Sequence, residues 1–203
     1  MIAQQPSPVD GRSARRVDTR AAILAAATRL FAANGISATS LDDVAAAAGI
    51  AKGSIFYNFG SKHGLVSELI DDYANRLENA LNEATVGLTG SAALRAVVAT
   101  LLRSLEEHTD AARVLLSEMF RTDRTWLAGI ERWRQVGLRT MLDAMLDADP
   151  EADRASTSLR AAAMIGATLV AGLNWLVFNP ELDYERVLDA VEQTLGLGEP
   201  GDR

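Results

Sequence analysis

The chain of 203 residues has no cysteine, two lysines, two histidines and five prolines. Each scarcity excludes something. Without thiols there is no disulfide framework and no thiolate chemistry. His63 and His108 stand 45 positions apart, and no His, Asp or Glu constellation has metal-ligand spacing, so neither a metal nor another cofactor is expected. Neither G-x-S-x-G nor G-x-x-x-x-G-K-[ST] occurs. Acid pairs such as Asp71–Asp72 and Glu106–Glu107 fit a solvated helix surface better than a catalytic dyad. Nothing nominates a nucleophile, base or metal, and the expectation is a protein that is not an enzyme. The opening MIAQQPSPVDGRSARR lacks an apolar h-region, so a cytoplasmic location is expected rather than secretion.

Charge is absent from one long run, AAAMIGATLVAGLNWLVF, Ala161 to Phe178, whose 18 residues reach the lower edge of a membrane span. Its alanines and glycines, Asn174 and the lack of a basic flank beyond Pro180 argue against a bilayer. A helix apolar all round is also what a buried helix or a subunit interface looks like. No membrane partner is expected.

What the chain does have is 48% hydrophobic and 23% charged residues, enough for a core and for solubility. Ala, Leu, Arg and Glu dominate and β-branched alternation is nearly absent, which predicts an all-α fold. The net charge of −7 is unevenly placed. Residues 1–64 carry seven Lys and Arg against four Asp and Glu; residues 65–203 carry thirteen against twenty-three. A basic small part joined to an acidic large part implies an anionic partner for the first and a different task for the second.

Residues 1–17, with two prolines, Gly11, Arg12, Arg15 and Arg16, read as a flexible arm. A helix from about Thr19 to Asn34 places Ile23, Ala27, Leu30 and Phe31 on one face, and Gly35 stops it. Ser40 and Asp43 form a capping box ahead of a two-turn helix ended by Gly49. A short helix fits 52–59, Gly60 breaks it, and Ser61 caps a long helix to about Ala84 with Leu65, Leu69, Tyr73 and Leu77 inside. Further helices fit 91–107, 110–121, 124–147, 153–178 and 183–195.

The stretch GIAKGSIFYNFGSKHGL, Gly49 to Leu65, concentrates three of the eleven aromatics within four residues, between the chain's two lysines. Two short helices joined at Gly49 make a helix-turn-helix, whose second helix enters a major groove N-terminus first. That puts Lys52, Gly53 and Ser54 at the base edges and Tyr57 and Asn58 one turn along. Lys62, in the first turn of the next helix, clamps a phosphate. Thr39 and Ser40 are placed to meet phosphate at the start of the preceding helix. Ile55 and Phe59 face inward.

Spacing, glycines and aromatics over AAILAAATRLFAANGISATSLDDVAAAAGIAKGSIFYNFGSKHGL together resemble the DNA-binding domain of the TetR family of bacterial transcriptional regulators. The resemblance implies an N-terminal three-helix helix-turn-helix domain at 18–64 and a helical effector-binding and dimerisation domain at 65–203. It implies a homodimer bound to an inverted-repeat operator in double-stranded DNA, most simply a repressor, released by a small-molecule effector. The family usually has Ser or Thr where Ala51 stands, Tyr where Phe56 stands, and an acid after Lys62 where this chain has His63 and Gly64. Phe56 keeps the ring of the family's Tyr at the phosphate backbone without its hydroxyl. Met119, Phe120, Trp126, Trp133, Met141, Trp175 and Phe178 are the candidate effector liners, describing a largely apolar site. Gly137, inside a helix, marks close helix approach or room for a ligand. The helices near 153–178 and 183–195 suit a four-helix interface across a two-fold axis. The alternative is a helical ligand-binding or scaffold protein without DNA-binding function.

Overall fold

The computed structural model describes the backbone of residues 8–119 and 126–198, and the side chains of 18–119 and 126–198. Among these residues the chain forms nine helices and no strand. They are α1 (Pro8–Asn34), α2 (Leu41–Ala48), α3 (Lys52–Phe59), α4 (Lys62–Thr85), α5 (Gly90–Glu107), α6 (Thr109–Met119), α7 (Leu127–Ala148), α8 (Arg154–Phe178) and α9 (Tyr184–Thr194). The all-α expectation is met.

The main departure is at the start. Helix α1 begins at Pro8 rather than near Thr19, so residues 8–17 continue the helix instead of forming an arm. Proline suits a first helical position because its missing N–H would be unpaired there anyway. Ala14, Arg15 and Arg16 then favour propagation. Residues 1–7 of the expected arm lie outside the described residues, as do the side chains of Arg12, Arg15 and Arg16.

The apolar spacing of α1 does what its period dictates: Ile23, Ala27 and Phe31 are buried in the same core as Val44 of α2 and Ile55 of α3. Helix α4 extends this core. It packs against α1 and α3 and also against α5 and α7. Leu65, Leu69, Leu77 and Leu81 are all buried, with Tyr73 partly so. Helix α5 is central to the larger bundle, in contact with α4, α7, α8 and α9. A Cβ on Gly172 of α8 would lie 2.5 Å from Leu105 Cδ1 and 3.1 Å from Leu102 Cδ2, so glycine is what lets α8 seat on α5. Two polar ties fix the C-terminal end. The Trp175 indole N–H donates to the Leu182 carbonyl at 2.8 Å, and the Tyr184 hydroxyl donates to the Ala99 carbonyl at 2.9 Å.

Among the described residues α8 is the one helix long and apolar enough to cross a membrane, yet only 22% of its apolar window is buried by its own chain. Leu159, Val170, Val177 and Phe178 are exposed on it.

The cap of α2 is complete: the Asp43 N–H donates to Ser40 Oγ at 3.1 Å, and the Ser40 N–H donates to Asp43 Oδ2 at 2.9 Å. The Ser40 hydroxyl and N–H together hold the Asp43 carboxyl below the ordinary range. Replacing Ser40 with Ala should lower the unfolding free energy by about 1 kcal/mol. Urea denaturation of the two proteins at neutral pH checks this, and equal midpoints would remove Ser40 from the capping account.

Candidate nucleic-acid interface

Helix α2 ends at Gly49, whose φ of +67° turns the chain left-handed. The Ile50 N–H closes the end by donating to the Ala45 carbonyl at 3.0 Å. Helix α3 then starts at Lys52 behind Ala51, which supplies no side-chain cap. Its first N–H groups are therefore left without a hydroxyl partner, at the end of the helix where partial positive charge collects.

Helix α3 has two faces. Ile55 is fully buried and Phe59 partly so, while Phe56 is 47% and Tyr57 75% exposed. Lys52 and Gly53 are exposed and Ser54 is half-buried. A Cβ on Gly53 would meet nothing within 4 Å, so the protein's own packing does not require glycine there. Its effect is to keep the outer surface of α3 low where a partner's edge could approach.

Both lysines of the motif have partners. Lys52 Nζ lies 2.8 Å from Asp42 Oδ2 on α2, with both side chains at least half exposed. An exposed pair of this kind contributes about 0–1 kcal/mol and exchanges readily for a phosphate. Lys62 Nζ donates to the Ser37 carbonyl at 3.3 Å, which sets it beside the α1–α2 connection. Ser40 is exposed, its hydroxyl committed to the cap.

Two expected contact residues are engaged by their own chain. The Thr39 side chain is buried, and its hydroxyl donates to the Gly35 carbonyl at 2.9 Å and the Leu30 carbonyl at 3.3 Å. It closes the end of α1 instead of presenting a donor outward. Asn58 turns back on its own helix: Nδ2 donates to the Ser54 carbonyl at 2.8 Å, and Oδ1 is buried with no partner among the described residues. A short amide finds the carbonyl four residues earlier before it can reach a groove.

Arg20 is a residue that sequence reasoning missed. Its guanidinium lies 4.7 Å from the Phe59 ring centroid, donates to the Asn58 carbonyl at 3.2 Å and pairs with Glu68. One side chain of α1 thus holds the last turn of α3 and the second turn of α4. The available signal was its spacing, three residues before Ile23 on the same helical face. A second missed contact joins distant segments: His63 stacks on Trp126 with ring centroids 4.4 Å apart and planes at 29°.

The α3–α4 turn is tightly constrained. Ser61 Oγ accepts from the Gly64 N–H at 3.0 Å, and a Cβ on Gly64 would collide with the Phe59 carbonyl oxygen. Gly64, a departure from the expected motif, is therefore required by this turn.

The expected effector liners separate. Met119 and Trp133 line a pocket of about 170 Å³ together with Leu77 of α4, Leu101 of α5, Gly137 and Leu138 of α7, and Ile165 and Leu169 of α8. Met141 is fully buried core and Trp175 is committed to the α8–α9 turn. Trp126 lies on His63, and Phe178 is 73% exposed on α8. These four do not line the pocket, because large side chains on helices serve the core, a junction or an outer face as readily as a cavity. Phe120 lies outside the described residues. The leucines and isoleucine of the pocket carry no signal that distinguishes them from core.

Residues 23–69 match the family model described as bacterial regulatory proteins, tetR family. The HTH-type transcriptional repressor KstR2 of Rhodococcus jostii is 33% identical over 118 residues, covering 56% of this chain and 56% of that protein. The match thus spans about half the length of that curated relative. Among solved structures, the fatty acid degradation regulator FadR of Bacillus halodurans superposes with a TM-score of 0.77 at 19% identity, covering 98% of this chain and 100% of its own. The FadR of Bacillus subtilis, solved in complex with stearoyl-CoA, gives a TM-score of 0.70 at 16% identity over 86% of this chain and 96% of its own.

Gly64→Ala should force the Phe59 carbonyl aside and destabilise the protein by about 1–3 kcal/mol, the usual range for overpacking. Thermal unfolding measures it; a variant as stable as the parent would show that the turn relaxes without cost.

Proposed function

We propose, from the premise that this chain belongs to the TetR family of bacterial regulatory proteins, that it is a sequence-specific DNA-binding transcriptional regulator. The most economical form is a cytoplasmic homodimeric repressor released by a small apolar effector. The observation that carries the reading is the two-faced α3: Ile55 is fully buried, while Tyr57 and Phe56 stand exposed beside Lys52 and Gly53. An ordinary helical hairpin has no use for two exposed aromatics flanking an uncapped, lysine-bearing helix start. In a major groove they have one: Lys52 and Ser54 face base edges, Gly53 allows close approach, and Tyr57 and Phe56 offer rings to thymine methyls and sugar–phosphate. Lys62, with the open N–H groups at the start of α4, serves as a phosphate clamp. Within this reading, residues 18–64 form the reading head and 65–203 the effector and dimer body.

The dimer is assigned to α8 with α9. Leu159, Ala163, Gly166, Ala167, Val170 and Val177 recur at helical spacing on α8 and are all exposed in the single chain. A stripe of this composition, with small residues at its centre, suits close packing of two helices across a two-fold axis. A two-fold axis implies an inverted repeat with half-sites about 34 Å apart, or a multiple of that spacing. The apolar pocket between α4, α5, α7 and α8 is the assigned effector site. Leu77 puts α4 in that pocket and Lys62 puts the same helix at the DNA. A ligand that shifts α4 changes the separation of the two reading heads. Coupling of this kind is typically about 1–3 kcal/mol and reciprocal.

Salt dependence of operator binding tests the assignment of contacts. Lys62→Ala should weaken binding to all sequences alike and reduce the slope of log K against log[salt] by about one unit. Lys52→Ala and Tyr57→Ala should instead change which sequences are preferred. An unchanged slope removes Lys62 from the phosphate contacts, and no sequence-selective complex at low salt would favour the scaffold alternative.

A further inference from the structure

We propose that the effector is a compact, uncharged apolar molecule about one ring in size, and that Gly137 is the specificity-determining residue that leaves room for it. The inference rests on reading the pocket beside α7 and α8 as the effector site.

Volume sets the size. The pocket holds about 170 Å³, and a dry cavity of about 150 Å³ lined by Leu, Ile and Phe accommodates benzene. Sites for larger ligands span about 300–1,000 Å³. Extension is blocked on one side by Leu77, Leu101, Trp133 and Leu169, which line this pocket and, from the other side, a space of only about 30 Å³. The larger groove beyond, about 510 Å³, carries charged residues among its alanines, with Arg76 paired to Asp72 at 2.8 Å and Arg103 to Glu106 at 2.7 Å.

Charge sets the class. Among the described residues Arg134 is the one charged residue lining the pocket. Its guanidinium is held fork to fork by Glu131, Nε donating to Oε2 at 3.0 Å and Nη2 to Oε1 at 2.7 Å, with Gln135 donating to the same carboxylate at 2.7 Å. These bonds pull the Glu131 carboxyl down to about 2. Among the described residues the counter-charge open to an ionised ligand is therefore already shared with Glu131, and a charge among leucines and isoleucines is costly without a partner of its own.

Gly137 distinguishes this site from plain packing. A glycine inside a helix weakens it relative to alanine. At Gly172 the neighbours demand glycine. At Gly137 they do not: a Cβ would sit 3.7 Å from both Ile165 Cδ1 and Leu101 Cδ2, an ordinary contact. A helix-weakening residue that the fold does not need, buried on a pocket wall, keeps space for a ligand.

The test uses the full chain, with toluene as the compact probe and stearoyl-CoA as the long-chain probe. The readouts are Tm and tryptophan emission, with operator binding measured on the same samples without probe. Toluene should raise the Tm and change the emission of Trp133, while stearoyl-CoA should do neither. Gly137→Ala should fold with an equal or higher Tm, bind operator as the parent does, and lose the toluene shift. Leu169→Ala, which opens the pocket into the adjoining space, should extend the Tm shift to naphthalene. A Tm raised by stearoyl-CoA and not by toluene would overturn the compact-ligand inference while leaving the pocket as the effector site. A toluene shift that survives Gly137→Ala unchanged would overturn the role of Gly137. No shift with either probe would overturn the inference and the pocket assignment together, with the DNA-binding reading judged separately by the probe-free measurement.

Discussion

The structure depends on the burial of one stripe along α4. Its 24 residues span about 36 Å, and the same face is buried at both ends in different company. Leu65, Leu69, Leu77 and Leu81 are all buried, on a helix that contacts α1 and α3 as well as α5 and α7. Each such leucine contributes about 1.5–3 kcal/mol by leaving water. Neither end can shift without the other feeling it, since close-packed cores transmit displacement. A helix with Lys62 at one end and a pocket-lining leucine fifteen residues further on is, in the proposed reading, a mechanical link between the DNA-facing surface and the effector site.

Secondary contacts make the link stiff. Arg20 braces α3 and α4 from α1 by a ring contact, a carbonyl hydrogen bond and an ion pair. The Phe59 carbonyl sits where a Cβ on residue 64 would be, so the angle between α3 and α4 is set by close contact with backbone and not by a flexible linker. The His63–Trp126 stack adds a second connection, from the first turn of α4 to the start of α7, the helix that also carries Trp133 and Gly137 of the pocket. Charge follows the same division: the basic excess lies in residues 1–64 and the acidic excess in the rest. An acidic body turned away from a polyanion favours one docking orientation.

The helices were largely legible because their signals are local. The Ser40–Asp43 box, Gly49, the uncapped Ala51 and Ser61 each act within four residues, and each appears where the pattern placed it. The early start of α1 was not legible: a Pro, Gly and Arg-rich stretch reads as an arm unless helix propagation is followed back to the proline. In the candidate interface, burial by period worked for Ile55 and Phe59 and exposure for Tyr57. It did not foresee the intrachain partners of Thr39 and Asn58, whose short polar side chains bond to nearby carbonyls. Position on a helix fixes a direction, but it does not decide between a distant partner and a carbonyl one turn away. The pocket was least legible. Met119 and Trp133 belong to it, but Met141 and Trp175 are core, and most of the remaining walls are leucines, an isoleucine and an alanine like any others. Gly137 of α7 and Gly166 of α8 carried the chemical signal, as otherwise unfavourable residues in helix interiors.

The central claim is that α3 is a DNA-reading helix carried in pairs. Selection of a random duplex pool by the purified full-length protein tests it most directly. The account expects enrichment of an inverted repeat whose half-site centres are separated by about 34 Å or a multiple of it. Failure to enrich any sequence, or enrichment of single half-sites without two-fold symmetry, would contradict it.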